Sequence, residues 1–320
     1  MFKVFISDSV YDRIISVEEQ RDTTRRSNLY KLLRQQPVQL LKAADTKKYK
    51  DNPEDVLKNP SALYILDIPA ADALAIQRMY GVMCLSSSAP DITPLIDIYD
   101  EHTTEKKVPL GRGWDSVLDS VEHLPSNALI LSDRYFFKTT NAVYGNGFDN
   151  IRSILTELLP RELNTKYHII VIFDRDEIDP LYNFNSIAKR LNDIALEFKK
   201  PYEIVTEALG LSEGKEIYYK FHNRRIVSNY FVVKMDYSLA AFNKTEGTSE
   251  QTITPQVLFT EESLSKRSSA PLQSMQQITK ALQSFSESLK SPSMDHNSYS
   301  YAVNGQRKER CMTITNRLLK

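Results

Sequence analysis

The chain has 320 residues, enough for one large domain or two ordinary ones, and it carries 41 Lys and Arg against 41 Asp and Glu. The neutral total excludes a globally basic nucleic-acid-binding protein but leaves a local basic patch open. Two cysteines argue against a disulfide scaffold and a cysteine-built zinc site. No apolar run reaches the length of a membrane span, and the N-terminus turns polar too soon for a signal peptide, so we expect a cytoplasmic protein.

Charge is segregated along the chain. Residues 1–50 carry 11 basic and 6 acidic side chains, whereas residues 51–125 carry 5 and 13. We predict one helix from Glu18 to Gln35, ended by Pro37. Arg21 and Arg25 would share a face of this helix, which either contacts phosphate or, as we favour, is solvated.

The first predicted domain, residues 1–124, is a small parallel α/β domain. Buried strands are predicted at 3–7, 62–66 and 82–85, with a helix at 70–80. Residues 42–60 are predicted to be a loop around a short helix at 53–58. The strand–helix–strand order favours a parallel sheet.

The second predicted domain, residues 125–245, is an α/β sandwich. Strands are predicted at 128–132, extended by 135–138, and at 167–173 and 202–205. Helices are predicted at 148–159 and 184–198, each with apolar residues on one face. Two further strands, 217–221 and 226–234, would form a hairpin or one bent strand around Asn223 and Arg224.

Residues 246–320 are rich in Ser and Gln, so we predict a partly disordered tail. Its one helix, 272–289, has apolar residues at spacings of three and four. That face would dock on the rest of the chain or on a protein partner.

Residues 222–229 read His-Asn-Arg-Arg-Ile-Val-Ser-Asn. The stretch resembles the H-x-K-x-x-x-x-D signature of the phospholipase D superfamily, in which the His attacks phosphorus and the Lys neutralises phosphate oxygens. His222 matches, Arg224 replaces Lys, and Asn229 replaces Asp. An arginine holds phosphate with a bidentate fork, and Arg225 adds a second cation. Asn cannot orient an imidazole as well as Asp does, so the pattern favours holding a phosphate over cleaving one.

Residues 128–242 resemble the phospholipase-D-like domain that follows MIT domains, the MIT C-terminal domain family. Asp133-Arg134-Tyr135 is similar to that family's Asp-Pro-Tyr, and His222-Asn223-Arg224 to its His-Asp-Arg. The family's Gly-Arg-Gly-Leu-Asp-x-Phe ending retains only Leu239 and Phe242. The resemblance implies a dimeric, catalytically degenerate fold that binds phosphorylated ligands, a phosphoinositide membrane surface in the eukaryotic proteins.

The leading hypothesis is therefore a homodimer that binds a phosphodiester or phosphorylated ligand, either a nucleic acid or a nucleotide. The ligand-binding candidates are Arg224, Arg225, Asn229, Asp133 and Tyr135, although Asp133 and Tyr135 could instead brace the His222 loop. One alternative is an active metal-independent nuclease or phosphodiesterase with His222 as nucleophile, so whether the protein is an enzyme stays open. Another is a non-catalytic scaffold or a defence-associated interaction protein.

Other ligand classes receive less support. A membrane-surface role is less favoured, because no strongly basic amphipathic helix is present. Asp8, Asp67 and Asp91 lie at or just after predicted strands, as magnesium ligands often do, but we favour ordinary strand-end solvation and loop capping. The acidic run from Asp174 to Asp179 is predicted to be a solvated turn. We expect no metal and no cofactor.

Overall fold

The structure is a computed structural model that describes residues 2–88, 90, 92, 106–108, 113–119, 121, 123–138, 146–212, 221, 223–236, 238–242, 251–260, 266, 269–290, 296–308 and 313–319. Within these residues the chain forms two β-sheets with helices, which confirms the predicted α/β class. No helix in the described part of the chain combines the length and the apolar character needed to cross a membrane.

The first sheet has four parallel strands in the order β2-β1-β3-β4. The strands are β1 (Val4–Ser7), β2 (Val38–Leu41), β3 (Leu63–Leu66) and β4 (Cys84–Ser86). The helices of this region are α1 (Asp8–Glu19), α2 (Asn28–Gln35), α3 (Ala43–Asp51) and α4 (Ala70–Tyr80). The two central strands are buried at every position, as the continuous apolar runs of parallel strands require.

The prediction of one helix from Glu18 to Gln35 is wrong. The chain instead forms the end of α1, a 3₁₀ turn at Thr23–Arg25, and α2. The Asp22 side chain accepts a hydrogen bond from Thr24 N, and Ser27 caps α2, so both residues start new turns. Arg21 and Arg25 therefore do not share a helix face. Helix α3 lies within residues 42–60, which were predicted to be a loop, and strand β2 was not predicted.

The second sheet has nine strands in the order β13-β12-β8-β7-β6-β9-β10-β11-β5. The strands are β5 (Lys106–Val108), β6 (Ala128–Ser132), β7 (Tyr167–Asp174), β8 (Ile204–Leu211), β9 (Arg224–Ser228), β10 (Phe231–Met235), β11 (Gln251–Val257), β12 (Tyr299–Val303) and β13 (Gln306–Arg307). Strands β6, β7 and β8 are parallel, and β9 runs antiparallel to β6.

Helices cover both faces of this sheet. They are α5 (Trp114–Leu118), α6 (Gly147–Leu158), α7 (Phe184–Glu197) and α8 (Ala270–Ser288). On one face α7 approaches Thr206 and Gly210 of β8. On the other face α8 reaches Arg225 of β9. Neighbouring residues of a strand point to opposite faces, so odd and even positions of β8 and β9 meet different helices.

The segment predicted to be a tail supplies parts of the second sheet. Strand β11 pairs with β10, and β12 pairs with β8. Helix α8 confirms the predicted helix at 272–289 to within two residues at its start. Its apolar residues are buried in the chain's own core: Leu272, Met275, Ile278, Leu282 and Phe285. The apolar face of α8 is thus occupied within the chain.

Polar contacts join the two sheets. Tyr230, in the turn between β9 and β10, accepts a hydrogen bond from Met83 N (2.6 Å) and donates to Ala62 O (2.8 Å). Asn127 donates to Tyr80 O (2.7 Å). A single hydrophobic core cluster includes residues of both sheets, so the two are packed together as one body.

Candidate functional site

Asp133 directly follows the last residue of β6, beside the first residue of β9, in the middle of the second sheet. Ser132 of β6 pairs with Arg225 of β9, which places Asp133 next to Arg224. The Asp133 carboxylate is fully buried and accepts hydrogen bonds from Tyr135 N (2.9 Å), Ser238 Oγ (2.6 Å) and Leu239 N (2.5 Å). Its oxygen lies 3.7 Å from Arg224 Nε. Asp133 thus ties together three separate segments of chain.

Burial governs the protonation of Asp133. Loss of water raises the pKa of its carboxyl group above the ordinary value, although the three hydrogen bonds and Arg224 act in the opposite direction. The ionised carboxylate of Asp133 is therefore stabilised by these hydrogen bonds and by Arg224. Asp133 therefore lies where it can orient Arg224, whereas the His222 loop that it was predicted to brace lies outside the described residues.

Three cations surround the ring of Tyr135. The guanidinium carbons of Arg134 and Arg224 lie 4.9 and 5.7 Å from the ring centroid, and Lys138 Nζ lies 5.0 Å away. The negative face of an aromatic ring attracts cations at such distances. We call Asp133, Arg134, Tyr135, Lys138 and Arg224 the strand-end cluster.

Carboxylates from the end of β7 balance this charge. Asp174 lies 3.3 Å from Arg134 Nε, and Glu177 lies 2.5 Å from Lys138 Nζ. Asp174 is almost fully buried. The predicted solvated turn is therefore wrong at its first residue, because Asp174 closes an ion pair instead of facing water.

Arg224 and Arg225 point to opposite faces of the sheet, as consecutive strand residues must. Arg224 faces Tyr135 and donates from Nη1 to Asp236 O (2.6 Å). Arg225 faces α8 and reaches Ser274 O at 3.3 Å. The two arginines, predicted to act together, do not share a site.

Asn229 is also separate from the strand-end cluster. It is fully buried beyond the far end of β9, where its side chain donates to Pro60 O (2.7 Å) and accepts from Asn127 N (3.0 Å). Its place is the junction between the two sheets. The structure thus brings together Asp133, Tyr135 and Arg224, but neither Arg225 nor Asn229. His222, the candidate nucleophile, lies outside the described residues.

Sequence reasoning missed Arg134, Lys138 and Glu177. Residues 135–138 were predicted to extend β6, which would have placed alternate side chains on opposite faces. They form a turn instead, and Phe136 N is hydrogen-bonded to Asp133 O (3.4 Å). The signal that was available is the Asp at the strand end, because Asp favours turns by accepting from the backbone two residues on.

No cluster of metal-ligating side chains exists among the described residues. Asp8 begins helix α1, and Asp67 accepts from Ser87 Oγ (2.8 Å). Asp91 and Cys311 lie outside the described residues. Cys84 is buried, which raises the pKa of its thiol to about 12 and leaves it without thiolate character near neutral pH.

Comparison with known proteins adds no assignment. No protein-family model matches the chain, and no curated protein matches it either. The cations, the aromatic ring and the buried carboxylate of the strand-end cluster are therefore the features that bear on function.

Proposed function

We propose that this protein binds a phosphate-containing ligand, a nucleic acid or a nucleotide, at the strand-end cluster. The observation that carries the proposal is the convergence of Arg134, Lys138 and Arg224 on Tyr135, where β6 ends and β9 begins. Cations supply attraction for phosphate, and an aromatic ring supplies a surface on which a base can stack. The resemblance to phospholipase-D-like domains points to the same ligand chemistry and to a homodimer.

Arg224 is the residue best prepared for this role. Its Nη1 is anchored on Asp236 O, and its buried Nε lies 3.7 Å from Asp133 without a hydrogen bond to any described residue. A guanidinium that its neighbours hold in place, with N–H groups still available, loses little conformational entropy when it binds a phosphate. Asp133 thus positions Arg224, and Arg224 contacts the ligand.

The arrangement supports binding over turnover. Asn229 replaces the aspartate of the signature and is committed to Pro60 and Asn127. It lies five residues beyond Arg224 along an extended strand, a separation of about 16 Å. An amide at that distance cannot orient an imidazole beside Arg224.

We expect Arg224→Gln to weaken the binding of a labelled single-stranded oligonucleotide at least tenfold, measured by fluorescence anisotropy. Arg224→Lys should give an intermediate loss, since it keeps the charge without the planar fork. The slope of affinity against salt should be shallow, because few phosphates are contacted and Asp174 and Glu177 compete for the cations.

Lys166→Gln is the matched control, because it also removes one positive charge and one ion pair, that with Glu203 (2.7 Å), at an exposed position. Circular dichroism establishes that each variant is folded at the assay temperature. Equal losses in Arg224→Gln and Lys166→Gln would show nonspecific attraction and refute the proposal. If wild type cleaves the oligonucleotide and His222→Ala does not, the protein is a phosphodiesterase and the binding-only proposal is wrong.

A further inference from the structure

A row of polar side chains crosses four strands on the face opposite the strand-end cluster. Backbone pairing places Thr254 of β11 beside Lys234 of β10, Lys234 beside Arg225 of β9, and Arg225 beside Ser132 of β6. Directly paired residues of antiparallel strands put their side chains on the same face, with Cβ atoms about 5 Å apart. We call these four residues the cation row, because two positive charges stand side by side at its centre.

The two cations of this row have no carboxylate partner among the described residues. Arg225 is about nine-tenths buried, and within the described part of the chain its guanidinium makes long hydrogen bonds to Ser274 O (3.3 Å) and Gln277 Oε1 (3.4 and 3.5 Å). Lys234 is half-buried and makes no ion pair or side-chain hydrogen bond with the residues that the structure describes. This differs from the strand-end cluster, where acidic groups balance every cation.

Such an arrangement costs stability in the absence of an anion. Like charges directly opposite each other in a sheet repel, and a buried charge without a partner carries a desolvation penalty. Burial lowers the pKa of the Arg225 guanidinium, and burial together with Arg225 lowers the pKa of the Lys234 ammonium. An oxyanion placed between the two groups would relieve both the repulsion and the loss of water.

The surroundings suit an oxyanion. Thr254 contributes a half-buried hydroxyl at one end of the row, and the exposed side chain of Gln277 lies at the edge of α8 next to Arg225. Both are uncharged hydrogen-bond donors. A guanidinium fork beside an ammonium is a standard combination for holding a phosphate group.

We propose that Arg225 and Lys234, flanked by Thr254 and Gln277, form a second anion-binding site that takes a phosphate group. This site lies on the opposite face of the sheet from the strand-end cluster and does not depend on it. The phosphate is either free inorganic phosphate or the phosphate of a nucleotide, since the same groups recognise both.

The test is isothermal titration calorimetry of the full chain with sodium phosphate, AMP and adenosine at constant ionic strength. Wild type should bind sodium phosphate or AMP but not adenosine. In Arg224→Gln, where the strand-end cluster no longer contributes, AMP binding tighter than phosphate identifies the nucleotide as the source, and equal affinities identify free phosphate. Lys234→Gln should weaken binding at least tenfold, and Lys234→Arg should retain it, a rescue that a merely structural lysine would not show.

Lys280→Gln is the control, because Lys280 is an exposed cation on helix α8, which contacts Arg225. Lys234→Gln should unfold at the same or a higher temperature than wild type without phosphate, since it removes a like-charge contact, and it should lose the phosphate-dependent rise in melting temperature. Absence of binding by wild type, or equal binding by Lys234→Gln and wild type, overturns the second site. Arg224→Gln should leave phosphate binding at the cation row intact, so the outcome is separate from that of the oligonucleotide experiment.

Discussion

Single buried carboxylates show how this chain uses polar groups inside its core. Glu207 of β8 is fully buried, and its Oε1 accepts from Tyr301 Oη and from Thr315 N (2.7 Å). Its Oε2 is buried and has no hydrogen-bond partner among the described residues. Burial raises the pKa of Glu207 above the ordinary glutamate value, despite these donors. The folded protein therefore binds this proton more tightly than the unfolded chain does.

The contribution of Glu207 to stability depends on pH. A carboxyl group whose pKa is raised by folding stabilises the fold below the unfolded pKa, about 4.3, and loses that contribution as pH rises through the folded pKa. Glu207→Gln keeps an acceptor for Tyr301 and Thr315 without the charge. We expect it to increase the free energy of unfolding at pH 7 by about 1–3 kcal/mol and to match wild type below pH 4.

Urea denaturation at several pH values measures this difference. Glu203→Gln is the control, since Glu203 is exposed and pairs only with Lys166, so it should change stability little at any pH. A variant at Glu207 that is less stable than wild type at pH 7 would show that the charged form is preferred in the folded protein.

At the scale of elements, helix α8 depends on packing more than on local signals. Its N-cap residue, Ser269, makes no side-chain capping hydrogen bond. Leu282, on the inward face of α8, is fully buried. Burial of the apolar face against β10 and β11 is therefore what holds α8 in place.

We expect Leu282→Ala to lower the free energy of unfolding by about 2–5 kcal/mol, the usual cost of a large-to-small change in a packed core. Lys280→Ala, at an exposed position of the same helix, should be nearly neutral because it removes no buried contact. Chemical denaturation followed by circular dichroism compares the two. Similar stabilities for both variants would mean that α8 contributes little to the fold.

Elements with a strong apolar pattern were predictable from sequence. The strands at β3, β6 and β7 and the helices α4, α6, α7 and α8 all follow their periodicity closely. The predicted single strand 226–234 is wrong, and residues 217–220 of the other predicted strand lie outside the described residues. Arg224 instead opens β9, and the turn lies at Asn229 and Tyr230. The position of this turn is set by tertiary contacts of Asn229 and Tyr230 with the region of the first sheet. No local sequence pattern indicates such contacts.

The candidate site was predictable only in part, and for a geometric reason. Asp133, Tyr135 and Arg224 were chosen from a resemblance, and the fold does bring them together. Arg225 was grouped with them because it is adjacent in sequence. Alternation along a strand separates adjacent residues, so a local motif overstated the number of cations on one face.

At the scale of the whole molecule, Tyr230 links the two sheets. Its hydroxyl is buried and contacts Met83 N, Ala62 O and Pro60 O (3.3 Å), all in the first sheet's region. Removing the hydroxyl in Tyr230→Phe leaves these backbone groups without that partner. We expect a loss of about 1–3 kcal/mol in the free energy of unfolding.

Trp114, the single tryptophan, reports on this coupling because it is buried in the core shared by both sheets. In wild type, Trp114 fluorescence and far-ultraviolet circular dichroism should follow one coincident urea transition. Tyr230→Phe should move both midpoints together. Two separated transitions in the wild-type protein would contradict a single cooperative unit.

The strand order of the second sheet also has a consequence for synthesis on the ribosome. Its β8 edge is covered by β12, whose residues lie nearly a hundred positions further along the chain. The first sheet, complete by Ser86, can form early in translation, whereas β8 stays unpaired on one side until Val303 has left the exit tunnel. At about 5–20 residues per second, that interval lasts several seconds, during which an exposed strand edge invites pairing with other chains. A nascent chain stalled in this window should therefore depend on chaperones far more than the finished protein does.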